Sequence, residues 1–300
     1  MATTQTFPGP QKGTKFTPKA VNPLTNYMRR PKIYITLPSG GNYWPPGSID
    51  VPETGEYPVY SLTAKDELAF QTPDALMNGQ AMVDVIQSCI PNIKNAWYTP
   101  TIDLDVILLA IRLASYGNTM PMTHKIPVIN EEVDYDIDLG AILTTQQQNQ
   151  WVEQVVIDPN FIIYVRPLTY KHMTQTSLKS FETQRILNMV NDNTISDEKK
   201  LELFNDSFSK LTSVTIDLIT ESIYKIVTAE EEVTDRKFIA EFVANADKDI
   251  FKQVKDHLDQ LKETNDLKPL EFSTTLEQQS QGAPATYTVP VNFNNSDFFG

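Results

Sequence analysis

Cysteine occurs once, at Cys89, and histidine three times, at His124, His172 and His257. A single thiol excludes an intramolecular disulfide and any cysteine-built zinc site. Three scattered imidazoles leave little material for a metal centre or a catalytic dyad. Long apolar runs are missing as well. No stretch approaches the ~20 consecutive apolar residues that span a bilayer, and Met1–Phe16 lacks the apolar core of a secretory leader. The expectation is a chain without a membrane span, made in a cytoplasm. The sequence also has no Walker loop, no G-x-G-x-x-G, no G-x-S-x-G and no H-E-x-x-H. Ser39-Gly40-Gly41 lacks the lysine and the following helix that phosphate cradling requires. The residues therefore point to no catalytic site, no cofactor, no bound metal and no enzyme activity.

Acidic residues are absent before Asp50, while Lys12, Lys15, Lys19, Arg29, Arg30 and Lys32 give that segment +6. Since the net charge is −13, the remainder carries −19. Such a balance repels a phosphate backbone, so nucleic acid is not an expected partner. Residues 1–31 hold Pro8, Pro10, Pro18, Pro23 and Pro31 with Gly9 and Gly13, and read as an extended basic arm. Two readings of the arm stand together: a clasp on an acidic partner or another copy, and a solvated tail. Tyr27 and Met28 are candidates to anchor its end.

What is present is an ordinary globular pattern, 40% hydrophobic and 21% charged over 300 residues, long enough for two cores. The fold class expected is α+β. A mixed α/β domain with antiparallel strands covers 32–167, a helical subdomain 168–264, and a C-terminal β-hairpin with an aromatic tail 265–300. Alternation predicts strands at Lys32–Leu37, Tyr57–Leu62, His124–Ile129, Val133–Ile137, Val155–Ile157 and Phe161–Val165. Thr63 before Asp66 and Glu67 signals a helix start, as does Thr72-Pro73-Asp74. Cys89 closes an apolar helix and reads as a small core residue. Asp103 or Thr101 is expected to cap a helix apolar nearly all round, with Arg112 reaching a carboxylate or solvent and Gly117 stopping it.

Helical period then predicts 169–192, 196–227, 234–245 and 247–263. In the second of these, Leu201, Phe204, Phe208, Leu211, Val214, Ile216, Leu218, Ile219 and Ile223 form a stripe expected to face the core. Strands return at Leu270–Thr274 and Tyr287–Phe293 around a flexible turn at Gln278–Pro284. His172 reads as a capping or packing residue at a strand-to-helix corner. Candidate partner-contact residues are Lys12, Lys15, Lys19, Arg29, Arg30, Trp44, Phe298 and Phe299. For Trp44 the competing reading is a cap on the core; for Phe298 and Phe299 it is docking on this chain's own body.

Several stretches, in order, carry a resemblance: Pro31–Gly41, Thr63–Glu67, Thr72–Leu76, Val85–Cys89, Ile102–Asp105 through Arg112 and Tyr116-Gly117, Asp134–Leu139, Arg166–Tyr170 and Asn295–Gly300. Over about 31–300 the chain resembles the baseplate hub subunits and hub assembly proteins of T4-like contractile-tailed bacteriophages. The resemblance implies a virion protein of the tail baseplate, assembled in the host cytoplasm. Its implied partners are hub, spike and tape-measure proteins, with self-association open. An alternative is a transient assembly chaperone absent from the finished virion; a remote one is an enzyme acting on cell wall or nucleic acid. Relatives often carry Cys-x-x-Cys pairs after the Tyr-Gly position and near the C-terminus, implying structural zinc. Met120–Val128 and Phe272–Thr288 contain no cysteine here, so packing by residues such as Phe272, Leu276, Tyr287, Val289 and Phe293 must take the metal's place.

Overall fold

β-Branched alternation broken by Pro38 and two glycines sets the first element: β1 (Pro31–Ile35) pairs antiparallel with β2 (Tyr57–Tyr60). The computed structural model describes residues 24, 27–70, 79–190 and 196–291. Residues 1–30 and 31–300 form separate units. In the first, Tyr27 and Met28 are 86% and 52% exposed, so the expected anchoring by these two side chains is not seen.

The body is mixed α and β with small antiparallel sheets. Thr63 and Asp66 exchange hydrogen bonds at the start of α1 (Ala64–Phe70), as the capping signal requires. The helix expected from Thr72 lies outside the described residues. α2 (Gln80–Cys89) ends with Cys89 wholly buried, as expected. After a 3₁₀ turn at Ala96–Tyr98, α3 (Thr101–Tyr116) buries eleven of its sixteen residues. These elements, with α4 (Leu139–Gln146), enclose one core built around Ile35, Tyr57, Ile86, Ile107, Leu109 and Ile111.

The cap of α3 departs from expectation. Pro100 holds the cap position without a side-chain hydrogen bond, and Asp103 points inward instead. Its carboxylate is fully buried and accepts from the Ser39 amide (2.8 Å), the Ser39 hydroxyl (2.5 Å) and the Trp44 indole (2.9 Å). A buried charge needs such donors, because unpaired it costs several kcal/mol, about 3–5 when one partner is removed. Arg112 lies over the Tyr116 ring at 4.3 Å rather than reaching solvent. Gly117 adopts φ +95°, a backbone state that glycine alone takes without strain.

β3 (Thr119–Lys125) and β4 (Glu132–Asp138) form a hairpin in register Met122↔Tyr135. The first strand starts and ends earlier than the alternation implied, because Val128 and Asn130 turn through positive φ. A four-stranded sheet follows in the order β5 (Gln154–Asp158), β6 (Phe161–Val165), β7 (Ile223–Val227), β8 (Glu232–Val233). It takes strands from both sides of residue 168, so the helical part shares a sheet with what precedes it. Between β6 and β7 run α5 (Tyr170–Val190) and α6 (Asp197–Ser222). The helix expected over 196–227 stops at Ser222. Its last five residues, IYKIV, are rich in β-branched side chains and complete the sheet beside β6, where tertiary pairing overrides helical period.

α7 (Arg236–Asn245) and α8 (Lys248–Asn265), capped by Asp235 and Asp247, cover the sheet and form a second core around Ile163, Val165, Ile223 and Ile239. β9 (Leu270–Ser273) and β10 (Thr286–Val289) make the C-terminal hairpin. The turn between them holds a short helix, α9 (Leu276–Ser280), fixed by a Thr275–Gln278 capping box, and is more ordered than the loop expected there.

Candidate interaction surface

The root of the α5–α6 hairpin is tied down from three directions. At the start, the Thr101 amide donates to the Leu168 carbonyl and the Tyr170 amide to the Thr99 carbonyl, both at 2.8 Å. Trp97 stacks on Tyr170 with centroids 5.7 Å apart. At the end, Arg236 donates to the carbonyls of Thr220 and Ile223 and pairs with Glu221 at 2.5 Å, closing the helix-to-strand corner. Glu221 also faces Arg166 at 3.9 Å and His172 at 3.7 Å. His172 accepts from Thr169 through Nδ1, which makes it the N-terminal cap partner of α5. Burial holds its imidazole below the usual range, with Glu221 pulling the other way. The cluster is structural cross-linking, consistent with the capping reading of His172.

Beyond its root the hairpin carries large apolar side chains on its exposed surface. Among the described residues beyond the root, Thr183 and Ser207 are buried, at 4% and 0% exposure. Large apolar residues point outward: Met173, Leu178 and Phe181 on α5, and Leu201, Phe204, Phe208 and Leu211 on α6. Phe208 is 65% exposed and Leu201 62%. The stripe expected to face the core does so only at its C-terminal end, through Ile216, Ile219 and Ile223.

Of the residues singled out from the sequence, Trp44 is 8% exposed with its indole on Asp103, which places it inside the core rather than on a contact surface. Arg29 is half-buried and Arg30 exposed. Lys12, Lys15, Lys19, Phe298 and Phe299 lie outside the described residues. Sequence reasoning assigned the apolar face of α6 to the core; the signal against that is the scarcity of large apolar residues on its opposite face.

The β3–β4 and β9–β10 hairpins meet in an aromatic cluster. His124 stacks on Tyr135 and Phe272 at 4.9 and 4.8 Å and shares a 2.6 Å hydrogen bond with the Tyr287 hydroxyl. One imidazole among phenyl and phenol rings is no zinc donor set, and no group of three His, Cys, Asp or Glu that could hold a metal occurs among the described residues. Ile126, Ala283 and Tyr287 form a small core beneath. Phe272, Tyr287 and Val289 take part as expected, whereas Leu276 is 85% exposed and Phe293 lies outside the described residues.

Residues 30–279 match the family model of the T4 bacteriophage base plate protein. The chain belongs to that family. Neither a curated protein nor a solved structure matches it. Membership places the chain in the tail baseplate of a phage, with other baseplate proteins as its partners. Among the described residues no helix is long and apolar enough to cross a membrane.

Proposed function

We propose that this chain is a structural or assembly protein of a contractile phage tail that contributes to the central hub of the baseplate by holding other proteins, without catalysing a reaction. The observation that carries the reading is the exposed apolar face of the hairpin, which presents Leu201, Phe204, Phe208 and Leu211 to solvent from a body that buries its other long apolar helix. Contiguous exposed apolar residues on a rooted helix support a protein contact. The buried Asp103 carboxylate is held by internal donors, and the partly exposed Glu221 cluster cross-links the root of the hairpin, so both serve packing.

Mass spectrometry of purified virions tests the structural form: a defined copy number per tail supports it. Failure of tail assembly without the protein, together with its absence from finished tails, selects the transient chaperone. Alanine at His172 and Cys89 tests the non-catalytic reading; folded variants should keep full function, and a loss would revive an enzyme. Deleting 1–30 tests the basic arm, which as a clasp should make assembly weaker and less salt-sensitive.

A further inference from the structure

The α6 stripe does not end at Leu211. Its next members, Thr215 and Leu218, line a groove of about 510 Å³ between α3, α5, α6 and α8, whose apolar wall includes Leu104, Trp151 and Met173. Leu201, Phe204, Phe208 and Leu211 are spaced 3, 4 and 3 residues apart, and Thr215 and Leu218 continue the alternation. That is the seam spacing by which one helix packs along another. From Leu201 to Leu218 it runs about 26 Å, roughly five helical turns.

The inner end of the groove is electrostatically incomplete. Asp105 of α3 and Asp266 at the C-cap of α8 lie close enough to repel, and burial together with Asp266 pushes the Asp105 carboxyl up to about 6. Asp266 also sits at the negative end of the α8 dipole, where a carboxylate is disfavoured. The Asn265 Oδ1 is buried there without a hydrogen-bond donor among the described residues. Against these acceptors the groove offers Lys262, and Lys255, which is already paired with Asp259. No ion pair to Asp105 or Asp266 occurs among the described residues.

Building on the baseplate reading above, we infer that the groove and the α6 stripe together receive an amphipathic helix of another protein, apolar along one seam and carrying arginine or lysine at the end that enters between Asp105 and Asp266. A cation there is stabilised by two carboxylates and the α8 C-terminus at once. The apolar seam of the incoming helix covers Phe204 and Phe208. Self-pairing of α6 alone would leave the acidic end unanswered.

The test uses the full chain and two labelled synthetic helical peptides, about five turns long with leucines at the same seam spacing. One carries two arginines in its end turn, the other two glutamines. Fluorescence anisotropy should show the arginine peptide binding about tenfold more tightly. Asp105→Asn with Asp266→Asn should erase that preference and leave the glutamine peptide unchanged. Phe208→Asp, at an exposed site and with an unchanged circular dichroism spectrum, should weaken both by about tenfold or more. Absence of binding, equal binding of the two peptides, or indifference to Phe208→Asp would each overturn the assignment. So would a concentration-dependent dimer in sedimentation that Phe208→Asp disperses while neither peptide binds, because the face would then belong to a second copy. Virion mass spectrometry is independent of these outcomes, so failure of the baseplate-component reading and failure of the helix site can be told apart.

Discussion

Helices α3 and α6 both carry apolar residues along most of their length, and they end in opposite surroundings. α3 is apolar nearly all round and is enclosed by β1, β2, α2 and α4, with Val106, Ile107, Leu109 and Ile111 at 0% exposure. α6 confines its apolar residues to a stripe, and that stripe is open to solvent over its first half. The lesson lies in the other face. α3 has no polar face to offer water, so burial is its only stable outcome. α6 has one, so it can stand at the surface with Phe204 and Phe208 exposed and available to something outside the chain.

The comparison can be broken most sharply at Asp103. Replacing it by alanine strands the Ser39 amide and the Trp44 indole in the core and should cost about 3–5 kcal/mol in urea unfolding. A loss under ~1 kcal/mol would mean the buried carboxylate does not hold α3 in place. Next comes a matched pair. Ile107→Ala should cost about 2–5 kcal/mol through the cavity it opens, whereas Phe204→Ala should stay within about 0.5 kcal/mol. Equal losses would show that the α6 stripe is already packed.

pH sharpens the same contrast. Burial pushes the Asp103 carboxyl up to about 6 against the opposing hydrogen bonds from Ser39 and Trp44, and Asp105 likewise rises to about 6. Unfolded aspartates titrate near ~3.9. Between about pH 4 and 6 the folded chain therefore holds the extra protons. Stability is fullest below that window and is lost as pH rises through it. Asp105→Asn removes one of the two titrations. It should flatten the dependence between pH 4 and 6 and raise stability at pH 7 by on the order of 2 kcal/mol. The groove thus keeps a carboxylate that weakens the isolated chain, as expected where a site awaits a cation. The smallest effect is local. His124→Ala should loosen the stack of Tyr135, Phe272 and Tyr287 by about 1 kcal/mol. Amide exchange in β9 and β10 should then quicken several-fold while α3 is unaffected.

Much of this was legible beforehand. Thr63 with Asp66 and the burial of Cys89 each follow from a local rule, because a cap or an apolar helix face is set within a few residues. The misread elements all depended on distant partners. Ile223–Val227 could continue α6 or join a sheet, and β6, some sixty residues earlier, decided it. Asp103 looked like a cap until Ser39 and Trp44 supplied donors from a different loop. The candidate site was the least visible part. Asp105 and Asp266 are 161 positions apart in the chain, and nothing in either neighbourhood announces the other.

Order along the chain, helical and strand periods, the lack of catalytic motifs and the stretches shared with baseplate proteins were properties of the amino acids alone. They rest on interactions that reach only a turn or two, or on identity itself. Which apolar stripe is covered, which carboxylate is buried with donors and which is left facing another were settled by packing. Those outcomes depend on the desolvation that one element imposes on another, and desolvation exists only once the elements meet.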